Sequence, residues 1–284
     1  MFKQYLHWLF TRVLTLVIIS FCIVCKAICQ DTSFPQGFAH NDYLHKRPLN
    51  EALENGFTHI EADVHLLNGK LIIAHYFPYF KSQRTLEKVY LKPLAAYLLR
   101  DSQKVAHAGA SSIVLMIDIK TNAAKTYEAL KPVLKKYENI LTSYHSGVIK
   151  LAPVTIVLSG HKPLNIILNE DSRLVFADIE LDKIEKFENQ PNVFLMASCK
   201  YSKFLSWRGN GPVPVTEDIK LREYIKMAHE RNEKVRLYAA PENQKVWSYL
   251  LSIGVDLINA DNLVNLRKFL FHNQFQFALN RNER

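Results

Sequence analysis

Two carboxylates and two histidines near the start of the chain have the types and spacing of a catalytic site. Glu61 and Asp63 stand two positions apart in the apolar run Ile60–Val64, a spacing that places both on one face of a strand. Adjacent buried carboxylates repel each other, and a cation between them relieves the repulsion. His40 and His75 end the neighbouring apolar runs. Oxygen ligands suit Mg²⁺ or Ca²⁺, and histidines beside such an ion suit acid–base chemistry on a phosphate ester.

The segments that must position these side chains alternate between apolar strands and amphipathic helices. The eight strand candidates are residues 38–40, 58–67, 112–120, 154–158, 174–177, 193–197, 234–240 and 255–259. Such alternation predicts a parallel sheet covered by helices, and eight units in a chain of this length predict a (β/α)₈ TIM barrel of the α/β class. A doubly wound open sheet is the main alternative. No internal repeat or linker interrupts residues 30–284, which we interpret as one domain.

In such a barrel the functional residues lie at the C-terminal ends of the strands. The polar residues at or near predicted strand ends are His40, Glu61, Asp63, His75, Asp118, Lys120, Ser159, Tyr238 and Asp261. Taken singly, each has a plainer interpretation: Asp118 or Asp261 could cap a helix, and Lys120 could be a surface lysine. Taken together, they predict a site at the mouth of the barrel.

Residues 1–29 have the pattern of an export signal. Lys3 and Arg12 precede an apolar run that ends near Cys25, and Ala27-Ile28-Cys29 follows with small residues at the positions a signal peptidase reads. We expect cleavage before Gln30 and a periplasmic or secreted protein. The alternative is an uncleaved anchor, for which the apolar run is short against the ~20 residues of a membrane span.

Cysteine content and charge restrict the remaining properties. Cys199 is the only cysteine after the leader, so the exported protein has no internal disulfide and we expect this thiol to be structurally minor. The net charge of +9 favours anionic partners, such as phosphates, and allows peripheral contact with an anionic membrane surface. The basic residues are scattered rather than clustered, which argues against nucleic acid.

Three segments of the chain resemble known phosphodiesterases. His40-Asn41, the 48–56 helix, Ile60–Val64, Asn68-Gly69 and His75 together resemble the opening of the glycerophosphodiester phosphodiesterases, which share a superfamily with the phosphatidylinositol-specific phospholipases C. Ile117-Asp118-Ile119-Lys120 is similar to the third strand of that family, and residues 254–261 to its final strand. The details His40-Asn41-Asp42-Tyr43 and 115–121 resemble a less studied branch of the superfamily.

The resemblance implies roles for particular residues. Glu61, Asp63 and Asp118 would bind one divalent cation, Ca²⁺ or Mg²⁺, with His40 and His75 as the acid–base pair. Asn41, Lys120, Ser159 and Tyr238 are the expected substrate contacts. The chain departs from the family at Asn41, where an arginine is usual, and at Asp118, where a glutamate is usual. The family's insertion after the second histidine is reduced to the loop of residues 76–91.

These observations predict an exported phosphoric diester hydrolase that acts on glycerophosphodiesters or phospholipid headgroups. Two alternatives stay open at this point. A metal-free glycosidase on the same fold would need a carboxylate pair ~5–10 Å apart. A catalytically silent barrel that binds lipid headgroups would keep the pocket without turnover.

Overall fold

The computed structural model describes Arg12 and residues 33–78, 83–100, 112–190 and 192–282, with side chains as far as residue 274. The chain divides into two units, Met1–Ser33 and Phe34–Arg284, and the fold below is that of the second. The predicted signal, apart from Arg12, lies outside the described residues. Within the described ranges, no helix is both long and apolar enough to cross a membrane.

Strands and helices alternate along the second unit. The strands are β1 (Gly37–Ala39), β2 (His59–Leu67), β3 (Lys70–Ile73), β4 (Ile113–Ile119), β5 (Ser143–His145), β6 (Val148–Lys150), β7 (Val154–Gly160), β8 (Ser172–Arg173), β9 (Phe176–Glu180), β10 (Phe194–Lys200), β11 (Lys234–Tyr238) and β12 (Leu257–Ala260). The helices are α1 (Asn50–Glu54), α2 (Lys92–Arg100), α3 (Ala123–Lys135), α4 (Leu164–Leu168), α5 (Val215–Glu230), α6 (Gln244–Ser252) and α7 (Leu263–Asn282).

Eight of these strands close into a parallel barrel in the order β1-β2-β4-β7-β9-β10-β11-β12. Closure occurs at β1, which pairs in parallel with β12 on one side and with β2 on the other. The antiparallel strand β3 extends β2 through a turn in which Asn68 and Gly69 both have positive φ, as a type I′ hairpin requires. The predicted (β/α)₈ barrel is therefore confirmed, and the open sheet is excluded.

The inside of the barrel is apolar in its lower part and polar at its C-terminal end. Phe38, Met116, Val157, Phe176, Met196 and Leu257 form one buried cluster. Met116 precedes Asp118 by two positions, and Val157 precedes Ser159 by two, so these pairs share a strand face. The polar residues of the site therefore stand on a closely packed apolar layer that holds them in place.

Two segments differ from the sequence-based prediction. The amphipathic periodicity of residues 122–144 predicts one long helix. Instead, α3 ends at Lys135, and residues 143–150 form a β5–β6 hairpin that pairs with β8. The hairpin turn places Ser146 and Gly147 at positive φ, a local geometry that overrides helical periodicity. The polar composition after His272 predicts a frayed tail. Instead, α7 continues to Asn282 through a segment without Gly or Pro to end it.

Candidate active site

A cavity of about 530 Å³ opens at the C-terminal ends of the barrel strands, and we call it the upper cavity. Its lining includes the nine residues that the resemblance gave catalytic, cation-binding or substrate-binding roles: His40, Asn41, Glu61, Asp63, His75, Asp118, Lys120, Ser159 and Tyr238. Strand register aligns several of them, since Asp63 is level with Asp118 and Asp118 with Ser159. Closure of the sheet thus brings together polar residues that are distant in sequence.

Three carboxylates meet at the base of the upper cavity. One oxygen each from Glu61, Asp63 and Asp118 lies within 4.8 Å of the other two, with the first two residues buried and the third half-buried. Burial, together with the charges of Asp63 and Glu61, raises the pKa of Asp118 against the opposing effect of Lys120. Burial acts the same way on Glu61, but positive neighbours, Arg236 foremost, outweigh it and its pKa is lowered. The cluster concentrates negative charge that needs cationic partners.

Two basic side chains from opposite sides of the barrel meet these carboxylates. Lys120 Nζ lies 2.8 Å from Asp118 Oδ2 and 3.2 Å from Asp63 Oδ2. Arg236 Nη1 lies 3.4 Å from Glu61 Oε1, and its guanidinium carbon lies 4.3 Å from the centroid of the Phe38 ring. Sequence reasoning missed Arg236, although a charged residue between Val235 and Leu237 in an apolar strand was an available signal.

His40 is held between two carboxylates. Its Nδ1 lies 2.6 Å from Asp261 Oδ1, and its Nε2 lies 3.4 Å from Glu61 Oε2. Burial lowers the pKa of His40, but the hydrogen bond to Asp261 and the charge of Glu61 outweigh burial, so the net pKa is raised above 6.5. Asp261 was a candidate helix cap, but Asn262 accepts the bond from the Asn265 amide at the start of α7. Asp261 therefore orients a histidine, as in an Asp–His pair.

His75 is held by a different pair of groups. Its Nδ1 lies 2.9 Å from Asp63 Oδ2 and 2.9 Å from the Tyr43 hydroxyl. The same hydroxyl lies 2.6 Å from Asn41 Oδ1 and 2.8 Å from Asp63 Oδ2. Tyr43 is buried and was not among the predicted site residues, because the resemblance of residues 40–43 to a branch of the superfamily gave it no role. Its hydroxyl links Asn41, in the loop that carries His40, to His75 and Asp63.

The loop that presents these groups is fixed by its own polar contacts. Asn41 adopts a left-handed conformation with φ 49°, so its amide donates to Glu61 Oε2 at 3.2 Å and its side chain donates to Asp261 Oδ1 at 3.1 Å. The buried carboxylate of Asp42 accepts from the Leu49 amide at 2.6 Å and from the Tyr90 hydroxyl at 2.9 Å. Burial raises the pKa of Asp42 to about 6. Asn41 therefore links Glu61 and Asp261 through its hydrogen bonds, and it also lines the cavity.

The wall that continues from Asp118 along the ends of β7, β9, β10 and β11 is mostly charged. Ser159 Oγ donates to Asp178 Oδ2 at 3.2 Å, and Lys162 Nζ lies 3.1 Å from Asp178 Oδ1. Tyr238 stands partly exposed on the rim. Cys199 also lines this wall and forms no disulfide in the structure. Burial raises the pKa of its thiol to about 12, so the sulfur stays protonated and is a poor nucleophile.

The chain is similar in sequence to proteins of mitochondrial inheritance by name, and similar in fold to a solved phosphodiesterase. The chain is 28% identical over 265 residues to "Altered inheritance of mitochondria protein 6" of Eremothecium gossypii, a match that covers 81% of this chain and 68% of that protein. A homolog of that protein from Arthroderma benhamiae is 27% identical over 262 residues and 82% of each chain. A solved glycerophosphodiester phosphodiesterase from Parabacteroides distasonis has the same fold, with a TM-score of 0.51 and 13% identity over 86% of this chain and 100% of that one.

The family comparison covers the half of the chain that holds the carboxylate cluster. The family model described as "AIM6-like phosphodiesterase domain" matches residues 27–178, which is more than half of the chain. The matched region includes His40, His75 and the three clustered carboxylates, whereas Arg236 and Asp261 lie beyond it. The chain belongs to the AIM6-like phosphodiesterase domain family.

Proposed function

We propose that this protein is a metal-dependent phosphodiesterase that hydrolyses glycerophosphodiester or phospholipid-headgroup bonds with His40 and His75 as its acid–base pair. One observation carries the proposal. Three carboxylate oxygens lie within 4.8 Å of one another, and each neighbouring histidine has its Nδ1 against a carboxylate. Membership of a phosphodiesterase-domain family supports the reaction class.

The carboxylates of Glu61, Asp63 and Asp118 fit a divalent cation. Oxygens within 4.8 Å of one another are close enough to share one ion, because ligands on opposite sides of Mg²⁺ or Ca²⁺ are themselves roughly 4–5 Å apart. Such an ion would polarise a phosphoryl oxygen and stabilise the charge of the transition state. Lys120 adds a second positive charge beside Asp63 and Asp118, where it can contact the phosphate as a point charge.

The two histidines are oriented alike. In each ring a carboxylate lies against Nδ1, so Nε2 is the nitrogen for proton transfer at the reacting phosphate. In His40 this atom also lies 3.4 Å from Glu61 Oε2, beside the proposed cation site. One histidine takes the proton from the attacking hydroxyl, which belongs to water or to the substrate's neighbouring alcohol. The other gives a proton to the leaving alcohol. Asp261 and Tyr43 keep the rings in position for these transfers.

The charged side chains in the wall of the upper cavity support a substrate with a small polar alcohol group. Beside Lys162 and Asp178, the lining includes Glu180, Lys200 and Lys203. Charged groups in a cavity of about 530 Å³ suit hydroxyl or amino groups better than an acyl chain. Ser159 and Tyr238 are placed to contact the same part of the substrate.

Hydrolysis of a panel of glycerophosphodiesters by the purified protein tests the proposal. We expect turnover that stops in excess chelator and returns with Mg²⁺ or Ca²⁺. Alanine at Glu61, Asp63 or Asp118 should each remove most activity and weaken cation binding in calorimetry, and a second alanine should add little, because the three act as a unit. Full activity in chelator would revive a metal-free glycosidase-type mechanism, and absence of turnover on every phosphodiester would favour a silent headgroup-binding barrel.

Export is a separate proposal that rests on the sequence of residues 1–29. Mass spectrometry of the protein recovered from the periplasm or medium should show a mature form that begins near Gln30. A species that retains Met1–Cys29 would contradict cleavage. Neither result bears on the catalytic proposal.

A further inference from the structure

A second cavity, of about 850 Å³, lies at the opposite end of the barrel and has a lining distinct from that of the upper cavity among the described residues. We call it the lower cavity. Its walls come from the end of α3, the β5–β6 hairpin and the segments that lead into β7 and β9, so it lies at the N-terminal ends of the strands. Its size is typical of cavities that hold a small organic molecule.

One wall of the lower cavity is apolar. Leu134, Leu141 and Val175 line it and are almost fully buried. At its edge, Leu151 has 82% of its surface exposed. An exposed leucine beside an aliphatic wall favours a ligand with an apolar chain, because binding removes the Leu151 side chain from water and packs the chain against that wall.

The carboxylates of the lower cavity already have cationic partners. Glu170 lies 2.8 Å from Lys131 Nζ and also accepts from the Tyr127 hydroxyl. Glu138 pairs with Lys135. Both carboxylates are therefore already ion-paired with a lysine.

Arg173 and Lys150 are the basic residues left in excess. Among the described residues, no carboxylate lies within ion-pair distance of either one. Arg173 is 5% exposed, its guanidinium lies 3.8 Å from the centroid of the Tyr144 ring, and its Nε has no hydrogen-bond partner. Its two Nη atoms donate to the carbonyl oxygens of Glu170 and Asn192, yet burial outweighs the charge of Glu170 and lowers the pKa of Arg173. An anionic ligand group would stabilise the charged guanidinium.

We propose that the lower cavity binds a single-chain anionic amphiphile. Its acyl chain lies along Leu134, Leu141 and Val175, and its acidic head group lies between Arg173 and Lys150. The chemistry is shared by fatty carboxylates and by alkyl or lysolipid phosphates. The proposal does not depend on the proposed function, because it uses none of the residues of the upper cavity.

Calorimetric titration of the purified protein with dodecanoate, below its micelle concentration, tests the proposal. We expect one molecule bound per chain, and a parallel titration with dodecyl phosphate identifies the preferred acid. Acetate tests the head alone, and dodecyl maltoside tests the chain with a neutral head; both should bind at least tenfold more weakly.

Substitutions at exposed positions test binding without disturbing the folded structure. Lys150→Glu and Leu151→Asp should each weaken dodecanoate binding at least tenfold, whereas Lys245→Glu, the same charge reversal on the exposed start of α6, should bind as the wild type does. Arg173→Gln should lose binding while a thermal melt reports whether it folds. Equal affinity for the maltoside, unchanged binding by Lys150→Glu, or no binding of either acid would overturn the proposal.

Discussion

The hydroxyl of Tyr43 lies 2.9 Å from Nδ1 of His75 and joins this histidine to the loop that carries His40. Asn41, whose Oδ1 lies 2.6 Å from the same hydroxyl, donates its side-chain amide to Asp261. Asp261 in turn holds His40. One buried phenol therefore fixes the relative positions of two rings that come from different strands.

Tyr43→Phe should lower kcat for a glycerophosphodiester about 10–100-fold, with KM nearly unchanged. The ring packing survives, but His75 loses one of two groups that orient it, and acid–base catalysis depends on that orientation. Tyr249→Phe is the matched control, because its hydroxyl bonds Asp218 between two outer helices. Steady-state kinetics of both variants is the measurement, and equal kcat values would contradict the role given to Tyr43.

The same variant assigns the acid. A nitrophenyl phosphodiester has a leaving group that needs no proton, so a defect in the acid should shrink with this substrate. If Tyr43→Phe is impaired on glycerophosphodiesters and nearly normal on the nitrophenyl ester, His75 is the acid. If kcat falls by the same factor on both substrates, His75 is the base.

Asp261→Asn should lower kcat about 10–100-fold and leave cation binding unchanged. An asparagine amide can donate to Nδ1 of His40 and so favour the tautomer with Nε2 protonated, which cannot act as a base. It also removes the negative charge that stabilises the doubly protonated ring, which an acid requires, so either role of His40 is impaired. Asp256→Asn is the matched control. Asp256 also pairs with a histidine, since its Oδ2 lies 2.8 Å from His229 Nε2, but this pair is not part of the site. Kinetics and calorimetry on both variants check this. Loss of cation binding in Asp261→Asn would show a structural defect instead.

The parts of the fold that could be predicted were those set by local pattern. The almost wholly apolar Ile113–Ile119 predicts a strand buried on both faces, and Glu61 and Asp63 share a face because side chains alternate. The hairpin of residues 143–150 was missed because its turn at Ser146 and Gly147 follows a segment with strong helical periodicity. Local geometry, not periodicity, decided its structure.

The site was predictable where a residue interrupts an apolar run, although Arg236, between Val235 and Leu237, carries this signal and was missed. Asp118 does so within its strand and was found. Tyr43 and Arg236 act through contacts across the barrel, with partners such as His75 and Glu61, and sequence spacing does not encode such distances. Asp261 was noticed, but its choice between capping a helix and holding His40 depends on closure of the sheet.

Glu233→Gln should stabilise the protein at alkaline pH. Glu233 is buried and one of its carboxylate oxygens has no partner. Burial raises its pKa to about 7, against the effect of Arg231. A folded pKa above the unfolded 4.5 means that its contribution to stability is complete below pH 4.5 and is lost as pH rises through 7.

We therefore expect Glu233→Gln to raise the free energy of unfolding by roughly 1–2 kcal/mol at pH 8.5, since solvent screens part of the cost of burying the charge. At pH 4.5 the difference should shrink. Urea unfolding at the two pH values is the measurement. Glu230→Gln removes the same charge at an exposed position and should show no such pH-dependent gain. A gain of equal size at both pH values would rule out titration of Glu233 as the cause.

Gly160 sits where the next strand passes the carboxylate cluster. It has φ +66°, and a Cβ added there would lie 2.0 Å from Asp118 Oδ1 and 2.7 Å from the carbonyl oxygen of Ile119. The backbone carbonyl cannot move freely, so the Asp118 carboxylate must shift away. Glycine at this position is therefore required by the geometry of the proposed cation site as well as by its backbone conformation.

Gly160→Ala should weaken Mg²⁺ or Ca²⁺ binding and lower kcat by at least tenfold. Gly147→Ala is the matched control, because Gly147 has φ +91° with nothing within 4 Å of its added Cβ. Both variants bear the cost of an alanine at positive φ, about 1 kcal/mol, so both should lower the melting temperature. Only Gly160→Ala should also lose cation affinity in calorimetry, since only its methyl group displaces a ligand. Equal cation affinity in the two variants would show that Asp118 can move without leaving the cation, and that the close approach of Gly160 does not set the geometry of the site.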